Sequence, residues 1–142
     1  FEKKSTNIKF HAVFICNPSS MHLKSSITHA KNGSNLFIEK PLSNNMKYVE
    51  QLGRLIKQKK IKCAVGYQLR YHPFLEKIKN YINSKKLGKI KEAFLRNSHY
   101  LPYHHQYEDY KTGYAAINSL GGGVILCFIH EIDYANYLFK KP

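Results

Sequence analysis

Three short apolar runs, at residues 11–16, 36–38 and 63–67, are separated by stretches whose apolar residues recur every three or four positions. Such an alternation of strand-length and helix-length segments calls for an α/β fold, with a parallel sheet built from strand–helix–strand crossovers. Met21 to Lys31 reads as the first helix, opened by a serine cap and stopped by Asn32-Gly33. For the second helix Ser43 is the expected N-cap, with Met46, Val49, Leu52 and Ile56 on one face.

The middle run ends in Glu39-Lys40-Pro41. A buried strand that delivers an acid and a base to its carboxyl end puts charge at the crevice where open α/β sheets take ligands. Pro41 fixes the backbone and biases Lys40 away from helix, so the ammonium is presented at the strand end. Taken alone, the tripeptide fits a solvated ion pair as well. Asn17-Pro18-Ser19-Ser20-Met21-His22 follows the first run, where helix N-terminal amides can hold a ribose or phosphate. An ordinary strand-to-helix turn has the same composition.

After residues 66–72 the character changes. His72-Pro73 opens a helix with Leu75, Ile78 and Ile82 facing inward. Residues 89–100 read as a longer strand with Phe94, Arg96, Ser98 and Tyr100 on one side. The Tyr- and His-rich loop that follows, residues 101–110, has side chains of the kind that bind polyols and sugars. Its adjacent His104 and His105 lack metal spacing, and no metal site is expected. Arg70 suits an anionic or hydroxylated ligand, or an ion pair within the fold.

Gly121-Gly122-Gly123 opens the last apolar segment, which runs through Phe139. Glycines let a backbone approach a ligand closely or enter a helix at strained angles. If the segment is helical, Cys127, His130 and Tyr134 share a face, with Asp133 one turn after His130. A histidine there, with an ordinary pKa of about 6.5, suits removal of a proton from an alcohol. A core histidine bonded to backbone is the alternative.

The formal net charge of +14 invites nucleic acid as a partner, yet the only arginines are Arg54, Arg70 and Arg96. Bidentate phosphate and base readout favours arginine over lysine, so nucleic acid is not expected. Cys16, Cys63 and Cys127 are odd in number and far apart, which points to reduced, mostly buried thiols in a cytoplasmic protein. No apolar stretch is long enough for a membrane span. The chain opens on Phe1-Glu2-Lys3 and stops at Pro142 directly after an apolar segment, so a fragment is expected.

Four segments in order resemble the glucose–fructose oxidoreductase, inositol dehydrogenase and rhizopine-catabolism family (Gfo/Idh/MocA). They are Cys16-Asn17-Pro18-Ser-Ser-Met-His22, Glu39-Lys40-Pro41, Gly66-Tyr67-Gln-Leu-Arg70-Tyr-His-Pro73, and the pair formed by Tyr107-Glu-Asp-Tyr-Lys-Thr-Gly-Tyr114 and Gly121-Gly-Gly…His130-Glu-Ile-Asp133. The resemblance implies an NAD- or NADP-dependent oxidoreductase acting on a sugar, sugar nucleotide or polyol. It implies the C-terminal half of a Rossmann domain over residues 1–68, then the start of an α+β substrate domain with an open sheet over 69–142. Asn17, Pro18, His22 and Glu39 would bind the cofactor. Lys40 would touch both cofactor and substrate and act in catalysis with His130, while Arg70 and Tyr107 would bind substrate. A homo-oligomer of the full-length protein is implied in the same way.

Two departures bear on this. Cys127 stands where the family has an aspartate, counted from the glycines, and a thiol does not orient a histidine as a carboxylate does. No G-x-G-x-x-G loop is present for a pyrophosphate. A non-catalytic, ligand-binding relative is therefore the second expectation.

Overall fold

The computed structural model describes residues 8–103 and 106–139. Strands β1 (Ala12–Ile15), β2 (Asn35–Ile38) and β3 (Cys63–Val65) form a parallel sheet in the order β1-β2-β3. Register pairs Ile15 with Ile38 and Ile38 with Val65, so side chains alternate in matched rows. The row Val13, Leu36, Cys63 and the row Ile15, Ile38, Val65 point to one face. That face is covered by α1 (His22–Lys31) and α2 (Val49–Lys59), which pack on each other. Ile15, Leu23, Ala30, Leu36, Ile38, Leu52 and Ile61 form the buried cluster. Each fully buried aliphatic side chain there contributes roughly 1.5–3 kcal/mol. The opposite face carries Phe14 and Phe37, whose rings lie 5.5 Å apart and are exposed.

The helix starts differ from those expected. A 3₁₀ turn, Ser19–Met21, precedes α1, whose N-cap is Met21 with no side-chain bond, so no serine caps it. Ser43 does not cap α2 either. The Asn45 N–H bonds Ser43 Oγ at 3.3 Å and the Lys47 N–H bonds Asn45 Oδ1 at 2.9 Å. These side-chain turns compete with helix and hold residues 43–47 out of it. The helix begins after Tyr48, which adopts φ 68°, and Met46 is left exposed.

The second region holds α3 (Pro73–Asn83), α4 (Val124–Cys127) and α5 (Ile129–Phe139). Pro73 is the first residue of α3 as expected, and His72 caps it by accepting from the Phe74 N–H at 3.3 Å. Leu75 and Ile82 are half-buried, but Ile78 is exposed. Residues 89–100 form no strand. Their alternation is real, since Ala93 and Leu95 line a groove against α5 and Asn97 bonds Glu131 at 3.0 Å, while Phe94 stays exposed. No neighbouring strand among the described residues offers them a ladder, and a strand exists only through its pairing. The last segment is not one helix. Phe128, at φ −102° and ψ 33°, separates α4 from α5, so Cys127 and His130 do not share a continuous helical face.

Candidate functional site

The carboxyl ends of the three strands converge. Glu39 N–H bonds Ile15 O at 2.9 Å and Gly66 N–H bonds Ile38 O at 2.8 Å, bringing Asn17, Glu39-Lys40 and Gly66-Tyr67 to one edge. The Lys40–Pro41 peptide is cis. Glu39 turns back to accept the Lys40 N–H at 3.1 Å. The Lys40 ammonium donates to the Cys127 carbonyl at 2.9 Å, across 87 residues of chain.

Lys40 stands between two clefts. The first, about 230 Å³, is lined on the β1 side by Asn17, Pro18, Ser19 and His22 and on the β2 side by Glu39. Asn17 gives its Nδ2 hydrogens to Ser25 Oγ at 2.9 Å, and its Oδ1 is buried with no partner among the described residues. An orphaned acceptor here fits a ligand that brings a hydroxyl or amide donor. His22 is fully buried, and its two ring nitrogens lie 2.7 Å from the carbonyls of Pro41 and Asn17. It braces the ends of β1 and β2, so its role there is first structural.

The second cleft, about 490 Å³, is walled by Leu101, Ala115, Ala116, Val124 and Phe128, with Lys40, His99, Tyr114 and Cys127 as polar members. His130 lines neither cleft. It lies near enough to Lys40 to feel its charge, with its ring edge-on to Tyr67, centroids 6.5 Å apart, and its buried Nδ1 has no partner among the described residues. Burial first, then the Lys40 charge, holds its pKa below the usual 6.5, against the opposing carboxylates of Glu131, Asp133 and Glu39. The imidazole is thus kept neutral, the form that accepts a proton.

Arg70 is committed elsewhere. Its guanidinium makes a two-pronged pair with Asp133, Nε to Oδ2 at 2.8 Å and the second prong to Oδ1, and it lies over the Tyr67 and Tyr137 rings. This joins the turn Gln68–Tyr71 to α5. Tyr107 is exposed and lines neither cleft. His104 and His105 lie outside the described residues. Among the described residues no group of three His, Cys, Asp or Glu side chains is placed to hold a metal ion. The three thiols are free, and Cys16 is exposed where burial was expected.

Of the two roles expected of the glycine triplet, entry into a helix at a strained angle is met by Gly123, which precedes α4 at φ 109°, whereas close approach to a ligand is not what the first two glycines serve. A Cβ on Gly121 would fall 2.0 Å from Ser19 Oγ, and one on Gly122 would fall 2.4 Å from Tyr114 O. Those two glycines admit other parts of the chain, not a ligand. Ser19 Oγ donates to Gly121 O at 3.2 Å, so the triplet is riveted to the turn after β1. Gly123, at φ 109° with open space around it, is the one that borders the second cleft. Sequence reasoning missed Ser19 as a docking residue and Tyr114 as a cleft residue. The only signal for either was a small or aromatic residue beside a turn.

Comparison with known proteins gives a consistent result. The family described as "Oxidoreductase family, NAD-binding Rossmann fold" (GFO_IDH_MocA) matches residues 2–67. The scyllo-inositol 2-dehydrogenase (NAD(+)) of Bacillus subtilis is 30% identical over 129 residues, 89% of this chain and 34% of that protein. Among solved structures, aldose-aldose oxidoreductase from Caulobacter crescentus superposes with a TM-score of 0.71 at 19% identity, covering 92% of this chain and 37% of its own. Myo-inositol 2-dehydrogenase from Lactobacillus plantarum has a TM-score of 0.54 at 27% identity, covering 58% of this chain and 25% of its own. The chain spans about a third of the length of the curated relative first named.

Proposed function

The chain belongs to the Gfo/Idh/MocA oxidoreductase family, and we propose on that premise that it is part of an NAD(P)-dependent dehydrogenase of polyols or sugars. Residues 1–68 would contribute to the cofactor domain, a division supported by the family match ending at residue 67. Residues 69–142 would belong to the substrate domain. The observation that carries the reading is the position of Lys40, at the carboxyl edge of the sheet and on the wall of both clefts.

The orphaned Asn17 Oδ1 and the Glu39 carboxylate suit the ribose and nicotinamide end of a dinucleotide in the first cleft. A bound nicotinamide supplies the hydride acceptor or donor. Lys40 donates hydrogen bonds to the reacting oxygen of the substrate in the second cleft, and its charge favours the alkoxide that develops when the hydroxyl proton leaves. Its present partner, the Cys127 carbonyl, is a neutral acceptor that an incoming oxygen can replace. His130 is held neutral and is the nearby base. It borders neither cleft, so in this arrangement the proton reaches it through Lys40 or a water. Arg70 and Tyr107 have no part in substrate binding in this reading.

The test uses the complete protein that contains this chain. Lys40→Ala should lower kcat with NAD and inositols or sugars about 10²–10³-fold, with NADH affinity little changed. Unchanged turnover would remove Lys40 from the chemistry. A second reading, a ligand-binding relative without catalysis, is favoured by Cys127 in the carboxylate position and by His130 standing outside the clefts. It requires NADH binding with no hydride transfer to any substrate of the panel.

A further inference from the structure

Among the described residues, Lys40 and Tyr114 are the two that line both clefts. The backbone of Tyr114 is fixed by its surroundings. It opens the 3₁₀ turn Tyr114–Ala116, in which the Ala116 N–H bonds Gly113 O at 3.0 Å and the Gly123 N–H bonds Ala115 O at 2.9 Å. Gly122 lies so close beneath that a Cβ would meet Tyr114 O at 2.4 Å and Ala115 O at 2.6 Å. The turn is therefore docked on the entry to α4, backbone to backbone, while the Tyr114 side chain stays exposed along the clefts.

The Cys127 side chain adjoins the Tyr114 phenol. The same residue's carbonyl holds the Lys40 ammonium, so Cys127 adjoins two of the polar groups that line the second cleft, His99 being another. Sulfur is a weak hydrogen-bond partner, and the tyrosine oxygen keeps lone pairs to offer. A substrate hydroxyl is therefore a stronger partner for the phenol than the neighbouring thiol. Apart from His99, the other walls of this cleft are largely alanine, leucine, valine and phenylalanine side chains, so few polar groups are left to meet a polyhydroxylated ligand.

We propose that Tyr114 is a substrate-binding residue, its hydroxyl engaging one hydroxyl of a vicinal polyol whose neighbouring oxygen is held by Lys40. The proposal rests on the dehydrogenase reading for its choice of ligand and names the side chain that selects it. Burial, then the neighbouring Cys127 and Glu39 side chains, raises the Tyr114 pKa above its usual value of 10, so the phenol stays protonated and binds without acting as a base.

The test compares Tyr114→Phe with the wild type in the complete protein. Myo-inositol, scyllo-inositol and glucose serve as probes, assayed both by NADH formation and by calorimetric binding to the NADH-loaded protein. Tyr114→Phe should weaken polyol binding about tenfold or more, in KM and in Kd, with NADH affinity and kcat changed less. That NADH affinity also reports that the variant is folded. If the wild type turns over and the variant's KM and Kd stay within twofold, the role of Tyr114 is overturned while the dehydrogenase reading stands. If the wild type binds a polyol without turnover and the variant loses that binding, Tyr114 is supported and the dehydrogenase reading fails. A wild type that neither binds nor oxidises any of the three overturns both.

Discussion

The two halves of the molecule hold themselves together by different means. Between β1 and β3, the cluster from Ile15 to Ile61 packs two helices on a sheet with side chains in continuous contact. Among the described residues from Tyr67 to Phe139, the one buried apolar side chain is Leu138, and α3 has no buried residue at all. What secures the second half is a set of single ties: Lys40 to Cys127, Ser19 to Gly121, Arg70 to Asp133 and Asn97 to Glu131. Two of these four reach back to the sheet. A core tolerates the loss of no one member cheaply but spreads the load. A few directional ties place side chains accurately and fail one at a time. The cleft residues lie where the two modes meet, which gives the site a rigid wall from the sheet and a wall from the tied region.

The comparison breaks if truncations in the two halves cost the same. Leu36→Ala, in the cluster, should destabilise the protein by about 2–5 kcal/mol, whereas Ile78→Ala, on the exposed side of α3, should stay within about 0.5 kcal/mol. Chemical denaturation of the two variants measures the difference, and equal losses would mean that α3 is buried in the working protein. Gly122→Ala sharpens the point, because the atoms it would strike are backbone oxygens that cannot rotate away. A loss of about 1–3 kcal/mol is expected, with polyol turnover falling more than NADH affinity.

The smallest effect is a pH shift. The folded His130 pKa lies below 6.5, so the neutral base persists into mildly acidic solution, and the acid limb of kcat/KM should fall below pH 6.5. The unfolded chain takes up that proton first, so this residue subtracts stability as pH falls through 6.5 and leaves it unaffected above. An acid limb at or above 6.5, or one that survives His130→Ala, would assign the proton to another group.

Much of the first half, and the entry to α3, was legible from local pattern. The three parallel strands, Asn32-Gly33 as the end of α1 and Pro73 as the start of α3 were all readable. Each follows from what one residue does to its own backbone, or from a hydrophobic period. Ser43 misled because a serine before a helical pattern caps only if the backbone enters the helix there, and Asn45 took the chain into turns first. The strand over residues 89–100 misled for a different reason: its alternation is present and its partner is not.

At the site, the sequence alone determined that an ammonium stands at the carboxyl end of a buried strand, because Glu39-Lys40-Pro41 encodes it within three residues. It also determined that a backbone must come close at Gly121-Gly122-Gly123. Only the tertiary structure decided what comes close. Ser19 and Tyr114 fill the glycines' space, Arg70 is drawn to Asp133, and the break at Phe128 takes His130 off the Cys127 face, outside both clefts. These outcomes join residues from about 60 to more than 100 positions apart. Short-range dihedral preferences and hydrophobic periods carry no information about such pairings, which are settled when packing selects one arrangement of the whole chain.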